Sequence, residues 1–163
     1  MNRTFNLRGI SRLILGLIMC FGGTGLAQAE DLHIKCVLVW ATNEENSKHK
    51  EVGAELEKKL RLAPYKWNHY YEVHRTNVVI RPKETAKIKM SEHCLLEASN
   101  PNDGRIQVNV FGEGKPVSKH LEPLPEGQTL TFGGDAKNDT GWLLLIQRKD
   151  PKTGVDSNAE HAK

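Results

Sequence analysis

Glu51–Ile80, EVGAELEKKLRLAPYKWNHYYEVHRTNVVI, decides the fold. In its first half, Val52, Leu56, Leu60 and Ala63 recur at spacings of four, four and three, which is one face of a helix over Glu51–Ala63, with Leu62 flanking it. Glu55 precedes Lys59 by four residues and Glu57 precedes Arg61 by four, the favourable order for pairs on an exposed helical face. Pro64 ends the helix, because a proline drives the residue before it out of the helical region. In the second half, Tyr65–His74 is rich in the aromatic and β-branched types that suit a pleated strand. Simple alternation puts Trp67, His69, Tyr71 and Val73 on one side and Lys66, Asn68, Tyr70 and Glu72 on the other. A bend near Arg75-Thr76-Asn77 leads into Val78-Val79-Ile80. Each half has one apolar side that water disfavours, so the helix is expected to cover the strand.

Working outward, Asp31–Trp40 alternates, with Leu32, Ile34, Cys36, Leu38 and Trp40 on one face. Ser47 is a candidate helix cap in the polar loop that follows. Downstream, alternating stretches containing Ile88, Leu96 and Val108 are separated by turn signals such as Asn100-Pro101-Asn102-Asp103-Gly104 and Gly112-Glu113-Gly114. Lys115–Leu121 and Gln128–Phe132 are weaker strands, and the continuous apolar run Trp142–Gln147 suits a central one. This pattern predicts an α+β fold: a mostly antiparallel β-sheet or small sandwich, with one amphipathic helix near the N-terminus of the mature chain.

The first residues read as a leader. Arg3, Arg8 and Arg12 precede an apolar Leu13–Leu26, and Ala27-Gln28-Ala29 has the small-x-small form of a cleavage site. The expected organisation is a signal peptide over 1–29, a single domain over 30–148 and a disordered tail over 149–163. Cleavage before Cys20 with lipidation is disfavoured by the bulky Met19 ahead of it. The chain carries 23 Lys and Arg against 20 Asp and Glu, and losing the three leader arginines balances it. Composition therefore gives no support to a nucleic-acid partner. No further apolar run is long enough to span a membrane.

Outside the leader the thiols are Cys36 and Cys94, a candidate disulfide in an oxidising compartment, set against two separate buried thiols. No histidine pair has the spacing that places two imidazoles on one helical face, and no metal site or cofactor is expected. Ser118 lies two residues before His120, a pairing too common to mark a hydrolase, and no G-x-S-x-G occurs. Asp135, Asn138 and Asp139 offer oxygens for calcium in one loop, without the twelve-residue calcium-loop spacing. The candidate binding residues are Tyr65, Lys66, Trp67, Tyr70 and Tyr71, with Tyr70 and Tyr65 expected to face solvent once the helix covers the other side.

Leu38–Thr42, Lys66–Val73, and Gly133–Ala136 with Thr140-Gly141-Trp142 resemble a group of small signal-peptide-bearing bacterial envelope proteins without an assigned activity. The resemblance implies a periplasmic or extracellular setting and transfers no catalytic residue. The expectation is an exported, non-catalytic binding or structural module whose partner is an envelope protein or a glycan. The alternatives are a glycan-binding protein using exposed aromatics and a small periplasmic hydrolase.

Overall fold

β1, Leu32–Thr42, has apolar side chains on both faces, and that double burial sets the architecture. Ile34, Cys36 and Leu38 point to one side, and Val37, Val39 and Ala41 to the other. A strand of this kind is stable only when both its faces are covered. The computed structural model describes residues 30–45 and 48–150. The expected leader, with Cys20, the Ser47 cap and most of the expected tail (151–163) lie outside the described residues.

The elements after β1 are β2 (Lys50–Glu51), α1 (Ala54–Leu62), β3 (His69–Ile80), β4 (Thr85–Lys89) and β5 (Cys94–Ser99). They continue with β6 (Arg105–Gly112), β7 (Lys115–Pro123), β8 (Thr129–Asp135) and β9 (Gly141–Arg148). Two antiparallel sheets result, a first in the order β2-β3-β1-β9-β8 and a second in the order β4-β5-β6-β7. They stack face to face around Ile34, Leu38, Leu96, Ile106, Val108, Leu144 and Ile146. The fold is thus mostly antiparallel β with a single helix among the described residues. No helix of the described residues is long and apolar enough to cross a membrane.

The other face of the first sheet is covered by α1 and Trp67. Leu60 is buried there with Val37, Val39, Leu143 and Leu145, and Leu56 packs at the margin. Leu62 points to solvent at 81 % exposure. The helix is shorter than its sequence pattern, because Val52 sits before it in extended chain, its N–H bonded to the Tyr70 carbonyl at 3.1 Å. Gly53 caps it without a side-chain bond, its carbonyl accepting from Leu56 and Glu57 N–H. Glu55 and Glu57 in the first turn and Lys59 and Arg61 in the last suit the helix dipole. Of the two expected side-chain pairs, Glu57–Arg61 forms at 2.8 Å.

The sheets join through a buried amide. Asn100 donates to the carbonyls of Glu30 (2.9 Å) and Ile80 (3.1 Å), and its Oδ1 accepts from Asn102 N–H (2.9 Å). It ties the entry of β1, the exit of β3 and the β5–β6 turn together. Leu124, between Pro123 and Pro125, is fully buried in the sandwich core.

Candidate functional site

The aromatic segment is where sequence and structure part. β3 begins at His69, so Trp67 lies before the strand and its side is not set by alternation. Within β3 the ladder shifts: Leu38 pairs with His74 and Val39 with Glu72, leaving Val73 as the extra residue of a bulge. The expected bend at Arg75–Asn77 is therefore at Val73. A one-residue insertion exchanges the faces beyond it. Before the bulge the expected alternation holds, with Tyr70 and Glu72 paired to Ala41 and Val39 on the helix side and Val73 packed towards the sandwich; what differs is that α1 covers the Tyr70 side.

Both sides are covered. Tyr70 is 4 % exposed, its hydroxyl donating to the Trp67 carbonyl at 2.9 Å, and burial raises its pKa. The expectation that Tyr70 faces solvent is corrected: the side read as wet is the one beneath α1. Tyr71, also 4 % exposed, packs beside Trp40 and stacks on His69, with ring centroids 6.2 and 6.5 Å away. Trp67 is 8 % exposed and its indole N–H donates to the Asp139 carbonyl at 2.8 Å. Its ring lies so close to Gly141 that a Cβ there would come within 2.2 Å, so only glycine fits. Tyr65 is half-buried, 6.4 Å from Trp67 between centroids. Of the five candidates, Tyr65 and Lys66 alone keep substantial contact with solvent.

Lys66 is already engaged. Its Nζ lies 2.8 Å from Asp139 Oδ1 and 3.1 Å from Asp135 Oδ1, and those carboxylates hold its ammonium above the ordinary range. The two acids read as calcium ligands thus enclose the protein's own cation. Asn138 and Asp139 take left-handed backbone in this turn, a conformation their short polar side chains tolerate. Among the described residues no three or more His, Cys, Asp or Glu gather as a metal site.

The Cys36–Cys94 disulfide is not formed, and both thiols are free. Cys36 lies mid-strand in the first sheet and Cys94 opens β5 in the second. In the ladders Cys36 lies opposite Thr76 and Ile146, and Cys94 opposite Gly112, so strand pairing does not bring the two thiols together. Burial pushes the Cys36 thiol up to about 12 and raises Cys94 as well. Neither is poised as a thiolate nucleophile at neutral pH.

The concave regions among the described residues include two, at α1 and between β7 and β8, that the sequence did not disclose. One, of about 590 Å³, lies between α1 and the outer face of the first sheet, with Val37, Leu56, Leu60 and Leu145 among its lining and Lys35, Lys59, Arg75 and Lys149 around it. The other, of about 370 Å³, is a seam between β7 and β8, where the two sheets meet without a strand joining them. Phe132 and Trp142 line it together with Ser118, His120 and Glu122, which alternate along β7. His120 Nδ1 is 3.1 Å from Glu122 Oε1, and its ring is 5.1 Å from that of Phe132. Among the described residues no hydrogen bond joins Ser118 to His120. Gly112-Glu113-Gly114-Lys115 forms the β6–β7 hairpin turn, with Glu113 and Gly114 at positive φ.

The edges bordering that seam differ. β7 carries Pro116, Lys119 and Pro123 and is bulged at Val117, all features that discourage pairing by another strand. β8, Thr-Leu-Thr-Phe-Gly-Gly-Asp, has neither lysine nor proline. At its ends Arg148 N–H donates to the Gln128 carbonyl and Ala136 N–H to the Thr140 carbonyl. In an antiparallel ladder alternate residues bond to the neighbour, so the even-numbered residues of β8 face β9. Thr129, Thr131 and Gly133 turn their backbone groups outward, where no strand of the described residues meets them. No protein family, curated protein or solved structure matches the chain.

Proposed function

We propose that the protein is an exported, non-catalytic binding module of the bacterial cell envelope, and that it takes an extended segment of a protein partner on the outer edge of β8. The leader-like 1–29 and the resemblance to small envelope proteins support the setting. The observation that carries the mechanism is the contrast between β7, guarded by prolines, lysine and a bulge, and β8, which has no such guard. Strand addition supplies affinity through main-chain bonds, and pockets beside the edge supply selectivity. The seam with Phe132 and Trp142 lies beside this edge and gives the partner's side chains an apolar place to enter.

Thr131→Pro removes an outward N–H while sparing the bonds to β9, and Thr131→Ala removes the hydroxyl and keeps the N–H. The expected outcome, by cross-linking in intact cells followed by purification, is the same envelope protein recovered with wild type and Thr131→Ala and lost with Thr131→Pro. Recovery with all three refutes edge pairing. Fractionation of cells that places the full chain in the cytoplasm refutes export.

A second reading rests on Ser118, His120 and Glu122, which share the seam. The Glu122–His120 contact resembles the orienting half of a hydrolytic triad, in which a carboxylate fixes the imidazole. Hydrolysis of a nitrophenyl ester that disappears in both Ser118→Ala and His120→Gln would favour this reading. Activity unaffected by either substitution removes it.

A further inference from the structure

A strand paired antiparallel to the outer edge of β8 shares its alternation of faces. Thr129, Thr131 and Gly133 turn their backbone groups outward, so the residues opposite them exchange main-chain bonds with β8. The residues opposite Leu130, Phe132 and Gly134 form the pairs without hydrogen bonds, in which side chains stand closest. Leu130 and Phe132 pack against the sandwich core, so incoming side chains at these positions turn to the same side, into the seam. The seam therefore meets three alternate side chains of such a strand.

The three positions differ. At Gly134 the Trp142 indole reaches across from β9 and lies close over the β8 backbone: a Cβ on that glycine would meet it at 3.1 Å. With the half-buried Leu130, it offers apolar surface at the two outer positions. The middle position is bordered by the half-buried Phe132 and by His120 and Glu122 from β7. The side chains of His120 and Glu122 are 43 % and 48 % exposed, so the surface they present to a newcomer is open.

Charge marks the middle position. Among the described residues lining the seam, Glu122 is the one Asp, Glu, Lys or Arg. Its carboxylate meets the His120 imidazole at 3.1 Å, and that ring lies 5.1 Å from the ring of Phe132. A neutral imidazole occupies one lone pair of the carboxylate and leaves its charge uncompensated. Lys119 does not supply the balance: it sits opposite Asn109 on the alternate face of β7, whereas His120 sits opposite the core residue Val108. An aromatic face and a carboxylate on the two borders of one position are complementary to a cation. A planar guanidinium suits them better than an ammonium, because it stacks on a ring and bonds a carboxylate through its fork at once.

We propose, resting on the reading that β8 takes a partner strand, that the seam selects an arginine in that strand at the position opposite Phe132. The guanidinium lies over the Phe132 ring and shares the Glu122 carboxylate with His120. The side chains two residues to either side of it, opposite Leu130 and Gly134, are apolar. The partner segment thus alternates, with one arginine between two apolar residues on the face turned into the seam.

The test is calorimetric titration of the full chain with a capped peptide, Thr-Val-Thr-Arg-Thr-Val-Thr, which sets arginine opposite Phe132 and valine at both outer positions. A second peptide carries citrulline, the uncharged isostere, in place of arginine. A third is the arginine peptide N-methylated at the two threonines beside the arginine, which removes the N–H groups that meet Thr131 and Gly133 and leaves the protein untouched. Saturable binding of the arginine peptide is expected, roughly tenfold or more tighter than the citrulline peptide, because a charge-assisted contact supplies about that factor. Glu122→Gln, with a thermal melt confirming its fold, is expected to erase that difference and leave the citrulline peptide unchanged. N-methylation is expected to abolish binding. Equal affinity for arginine and citrulline, a difference that survives Glu122→Gln, or no saturable binding of the arginine peptide overturns the proposal, while edge pairing is still judged by the cross-linking of Thr131→Pro. Undiminished binding of the N-methylated peptide overturns the proposal and counts against edge pairing as well.

Discussion

The two faces of the first sheet are built on the same strands and end up unlike each other. Towards the second sheet, Ile34, Leu38, Leu144 and Ile146 meet a partner layer of matching width, and every one of them is buried. Towards α1, Val37, Val39, Leu143 and Leu145 are buried beneath a single helix and Trp67, and a groove of about 590 Å³ opens beside that helix. A sheet covers a sheet along its whole breadth, whereas a nine-residue helix covers a patch. Both faces are dry at their centres, and only the helix side keeps a groove beside its narrower cover.

Leu144 and Leu145 are neighbours in β9 that point to opposite faces, so they measure the difference directly. Leu144→Ala opens a hole in a tightly filled interior and is expected to cost about 3–5 kcal/mol by urea unfolding. Leu145→Ala empties a site that is 6 % exposed and capped by one short helix that can settle into the space, and about 2 kcal/mol is expected, at the lower end for such truncations. Equal costs would break the comparison, by showing that α1 seals its face as well as the second sheet does.

Asn100 bears on how the closed face is held at its end. Asn100→Leu leaves the Glu30 and Ile80 carbonyls without their donor, and a loss of about 2–3 kcal/mol is expected by the same measurement. A loss below that of Leu145→Ala would place the joint between the sheets elsewhere.

Cys36 reports on the dryness of the sandwich interior through pH. Its folded pKa lies near 12 against an ordinary 9.0, so above pH 9 the unfolded chain releases a proton that the folded chain keeps. The unfolded state then binds fewer protons. The stabilisation is complete below pH 9 and declines as pH rises towards 12, by about 1.4 kcal/mol per pH unit at most. Cys36→Ala is expected to remove that part of the decline, and an identical alkaline slope in both proteins would mean that water enters the interior. The smallest expected effect is at the solvent side of α1. Arg61→Ala breaks an exposed pair with Glu57 and is expected to change stability by no more than about 0.5 kcal/mol.

Much of this was legible residue by residue. The alternation in Leu32–Trp40 and the apolar run Trp142–Gln147 both mark strands that the structure contains, and Leu56 and Leu60 mark the helix and its buried side. The burial of Tyr70 was not legible, because alternation separates it from Tyr71 and Val73 without saying which of the two sides α1 covers. Lys66 reads as an exposed cation beside aromatic rings, and its engagement by Asp135 and Asp139 joins segments roughly seventy residues apart. The groove cations come from β1, β3, α1 and the end of β9, and in sequence each looks like an ordinary wet-side charge.

The order of side chains along the chain marked most of the strand segments and a helical stretch that ends before Pro64, since periodicity and proline act over a few residues. The assignment of faces, the two free thiols, the bare edge of β8 and the half-covered groove were decided only by tertiary structure. Those features depend on which layer packs on which and on whether it is wide enough to cover its partner. Widths and registers are relations between distant segments, so no local pattern contains them.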